Sequence, residues 1–163
     1  MCTRLAAIDI GAKHTAIALF ENHLTNFDLF PLTIPSDYKH LHNFDEFWNK
    51  CQLIVIEQQM RSNVVACQVE ACLKLWFHLY YPHVKVSLFC ARLKYKGMDR
   101  EIYNTQYKRK QFTIAQVVPY LGQMANRFAL LNKKSDVADA IIIGILTMAK
   151  NSITDPSSVA FLD

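Results

Sequence analysis

Residues 3–21, TRLAAIDIGAKHTAIALFE, decide how the rest of the chain is read. Apolar residues crowd both sides of Gly11-Ala12-Lys13, which predicts two strands joined by a turn. Asp9 does not fit that pattern. A charge inside so apolar a strand costs several kcal/mol unless it is paired or bound to a metal. Alternation sets it on a face with Ala7 and Gly11, or at the strand's end.

Downstream, HLTNFDLFPLTI reads as a third strand, stopped by Pro35. Residues 36–50 carry Leu41, Phe44, Phe47 and Trp48 at helical spacing. QLIVIEQQ is a short apolar run that ends in acid, at Glu57. SNVVACQVEACLKLWFHLYY repeats apolar residues at three and four and is closed by Pro82, so a long helix is expected over 62–80. VKVSLF is a fifth strand. FTIAQVVPYLGQMANRF is expected to be helical with an interruption at Pro119. A last helix starts near Ser135 and runs to about Ser152. The order describes one α/β domain with a mixed sheet of five strands, residues 1–152, and a flexible C-terminal tail over 153–163.

A chain of 163 residues, 52% hydrophobic and 20% charged, is globular and large enough to bury a core. No apolar run approaches the roughly 20 residues of a membrane span, and the opening MCTRLAAIDIGAKH is expected to be strand rather than a secretory signal. The five cysteines form no CxxC pair, which favours free thiols in a reducing, intracellular compartment over a zinc site. The net charge of +4 is unevenly spread. Residues 92–110 hold Arg92, Lys94, Lys96, Arg100, Lys108, Arg109 and Lys110 against Asp99 and Glu101, so this strip alone carries +5 and the rest about −1. Such clustering suits a polyanion such as nucleic acid, or else a solvated loop too polar and irregular for the core.

The acids follow a second pattern. Asp9 and Glu57 end apolar strands, where α/β sheets gather their ligand sites. Asp136 and Asp139 are three apart, hence on one face of a helix start. Each alone has an ordinary explanation as a turn residue, a cap or a dipole partner. Together they make a candidate cluster. Two carboxylates 4 Å apart at an effective dielectric near 20 repel by roughly 4 kcal/mol. Four cannot all remain ionised without cations. Oxygen ligands call for a hard divalent ion, Mg²⁺ first. Two such ions about 4 Å apart can activate a water and steady the leaving oxygen of a phosphodiester. Neutralisation by arginine or lysine with no room for an ion would count against that reading.

Three motifs in order, AIDIGAKHTAIALF, LIVIEQQMRSN and KKSDVADAIIIGI, resemble the RuvC-like Holliday junction resolvases of the ribonuclease-H-like superfamily, especially the poxvirus branch and its relatives in other large DNA viruses. The resemblance spans about residues 3–150. It implies a ribonuclease-H-like nuclease domain with its mixed sheet flanked by helices. It also implies metal-binding, catalytic carboxylates at Asp9, Glu57, Asp136 and Asp139, with two Mg²⁺ or Mn²⁺ ions per site. A homodimer making paired nicks in a four-way DNA junction follows from it, acting in the host cytoplasm if the source is poxviral. Helix 62–80, with Val65, Val69, Leu73, Phe77 and Leu79, is the expected dimer face, or else core. The family places a basic residue near the metals; Lys108 and Lys110 are the candidates here, with Lys94 behind them. Ser135 stands where relatives often have an acid, and a cap is its expected role.

Other classes stay in view. DIGAKHT also satisfies the Asp-x-Gly-x-x-x-Thr opening of sugar kinases and actin-like ATPases, but those clamp ATP between two such domains and this chain has one. A related nuclease for structured RNA shares fold and metals. A non-catalytic junction-binding module would not need four acids.

Overall fold

A computed structural model describes residues 4–11, 13–31, 35–95 and 105–152 of the chain. The opening motif forms strands β1 (Arg4–Ile10) and β2 (Thr15–Glu21), and β3 is Leu24–Phe30. β4 (Leu53–Glu57) and β5 (Lys85–Phe89) follow later in the chain. The sheet order is β3-β2-β1-β4-β5. β1, β2 and β3 pair antiparallel, while β4 and β5 run parallel to β1. A parallel pair needs a crossover, and the long helix α2 (Val64–Tyr80) supplies the one between β4 and β5.

Period-two alternation divides the core between the two faces of this sheet. Ala6, Ile8 and Ile10 of β1 join Ile54 and Ile56 of β4 on the face packed with Trp48, Leu73, Trp76 and Phe77. Leu5 and Ala7 join Val55 on the opposite face, against Val137, Ala138, Ile141 and Ile142. Coverage on both sides explains why β1 and β2 are apolar almost without interruption. The hairpin between β2 and β3 turns at Asn22, with φ of 64°, a conformation asparagine tolerates better than most residues.

The structure differs from expectation in the connections. β3 ends at Phe30, before Pro31, rather than at Pro35; a proline has no N–H for the ladder. Residues Pro35–Phe44 wind as 3₁₀ helix, and only Asp45–Trp48 (α1) is α-helical. The Trp48 indole donates to the Leu41 carbonyl at 2.7 Å, pinning this segment. α2 begins at Val64 rather than at Ser62, capped by Asn63, whose side chain accepts from the Ala66 N–H. Helix α3 (Gln106–Val117) begins inside the basic strip, with the Thr105 side chain accepting from the Lys108 N–H. Its regular structure stops at Val117, and Val118–Tyr120 continues as a 3₁₀ turn containing Pro119. α4 (Ala125–Ala129) is short, and α5 (Lys134–Ser152) is the last helix.

Val69, Leu73 and Phe77 of α2 are core, whereas Val65 and Leu79 are exposed together with Val64, Leu75 and Tyr80. The expected dimer helix is therefore half core and half apolar surface. Among the described residues no helix is long and apolar enough to cross a membrane. The expected tail, 153–163, lies outside the described residues, as do Ala12, Lys96 and Arg100.

Candidate active site

Parallel pairing sets the site. Ile8 of β1 registers with Ile56 of β4, so Asp9 and Glu57 fall one step further on, at the same end of two adjacent strands. By alternation both point to the face covered by α5, with Ala7 and Val55. α5 carries Asp136 and Asp139 on one face, one turn apart. At Gly11 a Cβ would meet the His14 carbonyl oxygen at 2.5 Å and come within 4.0 Å of Asp136 Oδ2. Gly11 thus permits the close approach of the His14 carbonyl just after β1, beside the helix start.

Lys94 stands in the middle of this arrangement. Its Nζ lies 2.7 Å from Glu57 Oε1, 3.2 Å from Asp139 Oδ2 and 3.5 Å from Asp9 Oδ1, with only 3% of its side chain exposed. Lys94 belongs to a 3₁₀ turn, Ala91–Tyr95, that follows β5. The sequence assigned it to a polar strip and set it behind Lys108 and Lys110. Burial of a lysine beside three acids was legible only as an electrostatic need: the acids required a cation, and this is a cation shortly after the fifth strand.

The charges are tuned by one another. Burial pushes the Asp9 carboxyl well above its ordinary pKa, and its hydrogen bond with Glu57 adds to this, against the pull of Lys94. For Glu57 burial also opposes ionisation, but the hydrogen bond from Asp9 and the Lys94 ammonium outweigh it and hold the pKa low. Asp139 is raised by burial, with Lys94 opposing. Burial disfavours the Lys94 ammonium, yet Asp9, Asp139 and Glu57 overcome this and raise its pKa. Asp9 is thus pushed toward its neutral form and Glu57 toward its ionised form, while the three carboxylates favour the Lys94 ammonium.

Asp136 is set apart from this core. Its Oδ1 lies 3.8 Å from Lys110 Nζ and accepts a hydrogen bond from Ser135 Oγ at 3.0 Å. Ser135 sits within the first turn of α5 and partners Asp136, so the expected capping role does not hold. Lys110 is half-exposed, Lys108 exposed and Arg92 exposed, while Arg109 is half-buried. Thr113, one turn beyond Lys110, is buried and its hydroxyl donates to the Arg109 carbonyl at 3.1 Å. The loop after β4 is held too: the Gln59 N–H donates to Glu70 Oε2 of α2 at 2.9 Å.

A five-stranded mixed sheet with this order, helices on both faces and acids at the ends of its two central parallel strands defines a ribonuclease-H-like fold. Two solved viral resolvases share this fold. The fowlpox virus resolvase in complex with its substrate Holliday junction DNA superposes with a TM-score of 0.68 at 16% identity, covering 91% of this chain and 99% of that one. The fowlpox virus Holliday junction resolvase solved separately gives 0.66 at 17% identity over the same shares. No protein-family model matches the chain. A curated relative, uncharacterized protein 97L of Invertebrate iridescent virus 3, is 26% identical over 105 residues, 64% of this chain. The chain's match spans about half, 51%, of that relative's length.

Proposed function

We propose that this chain is a structure-selective DNA endonuclease that resolves four-way junctions by metal-dependent hydrolysis of phosphodiesters, acting as a homodimer. The observation that carries the reading is the convergence of Asp9, Glu57 and Asp139 on Lys94 beside a helix whose first turns carry Lys108, Arg109 and Lys110. The fold shared with fowlpox resolvase supports the same reading.

Among the described residues no group of three or more acids is arranged to hold an ion as it stands, with the Lys94 ammonium between Asp9, Glu57 and Asp139, but the donor chemistry suits a hard divalent ion. All donors are carboxylate oxygens. Three carboxylates face one ammonium, so Lys94 alone does not balance the cluster when all three are ionised. Asp139 Oδ1 is buried without a hydrogen-bond partner. Lys94 therefore neutralises the cluster in part, and leaves it short of cations. Asp9, Glu57, Asp136 and Asp139 would hold Mg²⁺ or Mn²⁺, and two such ions would supply Lewis acidity and a nucleophilic water at neutral pH.

The chain's own groups do the rest. Lys94, fully charged and fixed by three carboxylates, can donate to a phosphoryl oxygen as charge builds there. Lys110 can leave Asp136 for the backbone phosphate, and Lys108 and Arg92 can take flanking phosphates. One site of this kind cuts one strand, so paired nicks need two copies related by a two-fold axis. The exposed Val64, Val65, Leu75, Leu79 and Tyr80 of α2 supply an apolar face for that contact. Cys51, Cys67, Cys72 and Cys90 are free thiols, in keeping with action inside a host cell.

The test is incubation of the purified protein with a synthetic four-way junction, with and without Mg²⁺, mapping both strands. Symmetric paired nicks that need the ion are expected. An intact junction, or cleavage of structured RNA alone, overturns the reading.

A further inference from the structure

Helix α3 opens on Gln106-Tyr107-Lys108-Arg109-Lys110, and the Tyr107 ring is 73% exposed. It belongs to neither core cluster. The inner side of the same helix is anchored, with Thr113 and Val117 buried. The ring is therefore carried by a fixed element and is not needed to hold that element in place.

Its position relative to the carboxylates gives it a use. Tyr107 precedes Lys110 by three residues, so the two side chains are surface neighbours with Cβ atoms about 5–6 Å apart. Lys110 Nζ in turn lies 3.8 Å from Asp136 Oδ1. The ring thus neighbours Lys110, the cation that reaches the Asp136 carboxylate, on a helix whose first turns also carry Lys108 and Arg109. A single exposed aromatic is ordinary on a protein surface. An aromatic set among phosphate-binding cations is how proteins hold unstacked bases, because every base offers a π-face. In an uninterrupted duplex those faces are covered by neighbouring pairs. At a branch point stacking is broken and a face is open.

We propose that Tyr107 stacks on a nucleobase at the branch point next to the cut strand, and that this contact favours branched over linear DNA. The inference rests on the endonuclease reading above and assigns one element of its substrate selection. Lys108 and Lys110 would set affinity for any DNA; the ring would report whether a base face is free.

The experiment compares the full chain with its Tyr107→Ala and Tyr107→Phe variants, without divalent ions so that nothing is cut. Binding is measured to a four-way junction and to a linear duplex of the same sequence, over a range of salt. Tyr107→Ala is expected to lose roughly 10- to 100-fold on the junction. Duplex affinity and the salt slope should not move, because no charge is removed. Tyr107→Phe keeps the ring and should keep the affinity. Quenching of a 2-aminopurine placed at the branch should appear with wild type and vanish with Tyr107→Ala. Undiminished junction binding by Tyr107→Ala, or an equal loss on both DNAs, overturns the inference. A wild-type protein with no preference for the junction instead overturns the endonuclease reading on which it stands.

Discussion

Lys94 Nζ lies 2.7 Å from Glu57 Oε1, an ion pair between a turn after the last strand and the end of the fourth. The pair is buried, and Asp139 and Asp9 close in on the same ammonium. Breaking a buried pair by removing one partner costs far more than an exposed pair is worth.

Lys94→Met should therefore destabilise the protein strongly when divalent ions are chelated, by up to about 3–5 kcal/mol. Mg²⁺ should restore much of that loss, since it would supply the missing positive charge, while nicking stays impaired. Urea unfolding with chelator and with Mg²⁺ measures both effects. A variant as stable as wild type in chelator would mean the lysine is not the cluster's counter-charge.

Asp139→Asn and Asp9→Asn should each bring junction nicking below about 1% of wild type, a larger loss than the 10- to 100-fold typical of residues behind a metal ligand. Junction binding should hold or tighten, because neither change adds negative charge. Gel-shift and cleavage assays on one preparation separate the two effects, and a parallel collapse of binding would make these acids structural.

The raised pKa of Asp9 gives a stability signature with a definite sign. A native state that holds its proton more tightly than the unfolded chain is stabilised below the unfolded pKa, near 3.8, and loses that advantage as pH rises through the native value. Asp139 acts in the same direction and Glu57 in the opposite one. Asp9→Asn mimics the protonated form. In chelator, wild type should fall in stability relative to Asp9→Asn as pH rises from about 4 to about 8. Urea midpoints across that range test it; a constant difference would contradict the assignment.

Gly144 lies in α5 where a Cβ would come within 2.1 Å of the Phe20 ring. Phe20 is fully buried, so it has no free space to yield. Gly144→Ala should cost about 1–3 kcal/mol by overpacking, despite the better helix propensity of alanine. Thermal melting reads this directly, and Phe20→Leu in the same chain should recover part of it.

Replacing Lys108 and Lys110 by Ala should lower the slope of log affinity against log salt by about one for each phosphate that is no longer neutralised. An unchanged slope would put the DNA on another surface.

Strand content, the apolar character of β1 and the placement of four acids at strand ends and a helix start could be read from local pattern. Apolar alternation and i, i+3 spacing are short-range properties, and Asp9, Glu57, Asp136 and Asp139 announce themselves by violating them. The 3₁₀ winding of Pro35–Phe44 was not legible, because helical spacing of apolar residues does not distinguish the tighter turn.

What only the tertiary structure decided is which acids meet and which cation meets them. The sequence placed Asp136 and Asp139 together and favoured Lys108 and Lys110. In space Asp139 joins Asp9 and Glu57 around Lys94, while Asp136 turns to Ser135 and Lys110. Parallel pairing of β1 with β4 and the packing of α5 on that sheet face bring residues 9, 57, 94 and 139 together. No local pattern encodes such meetings, because their free energy depends on distances that exist only once the chain has folded.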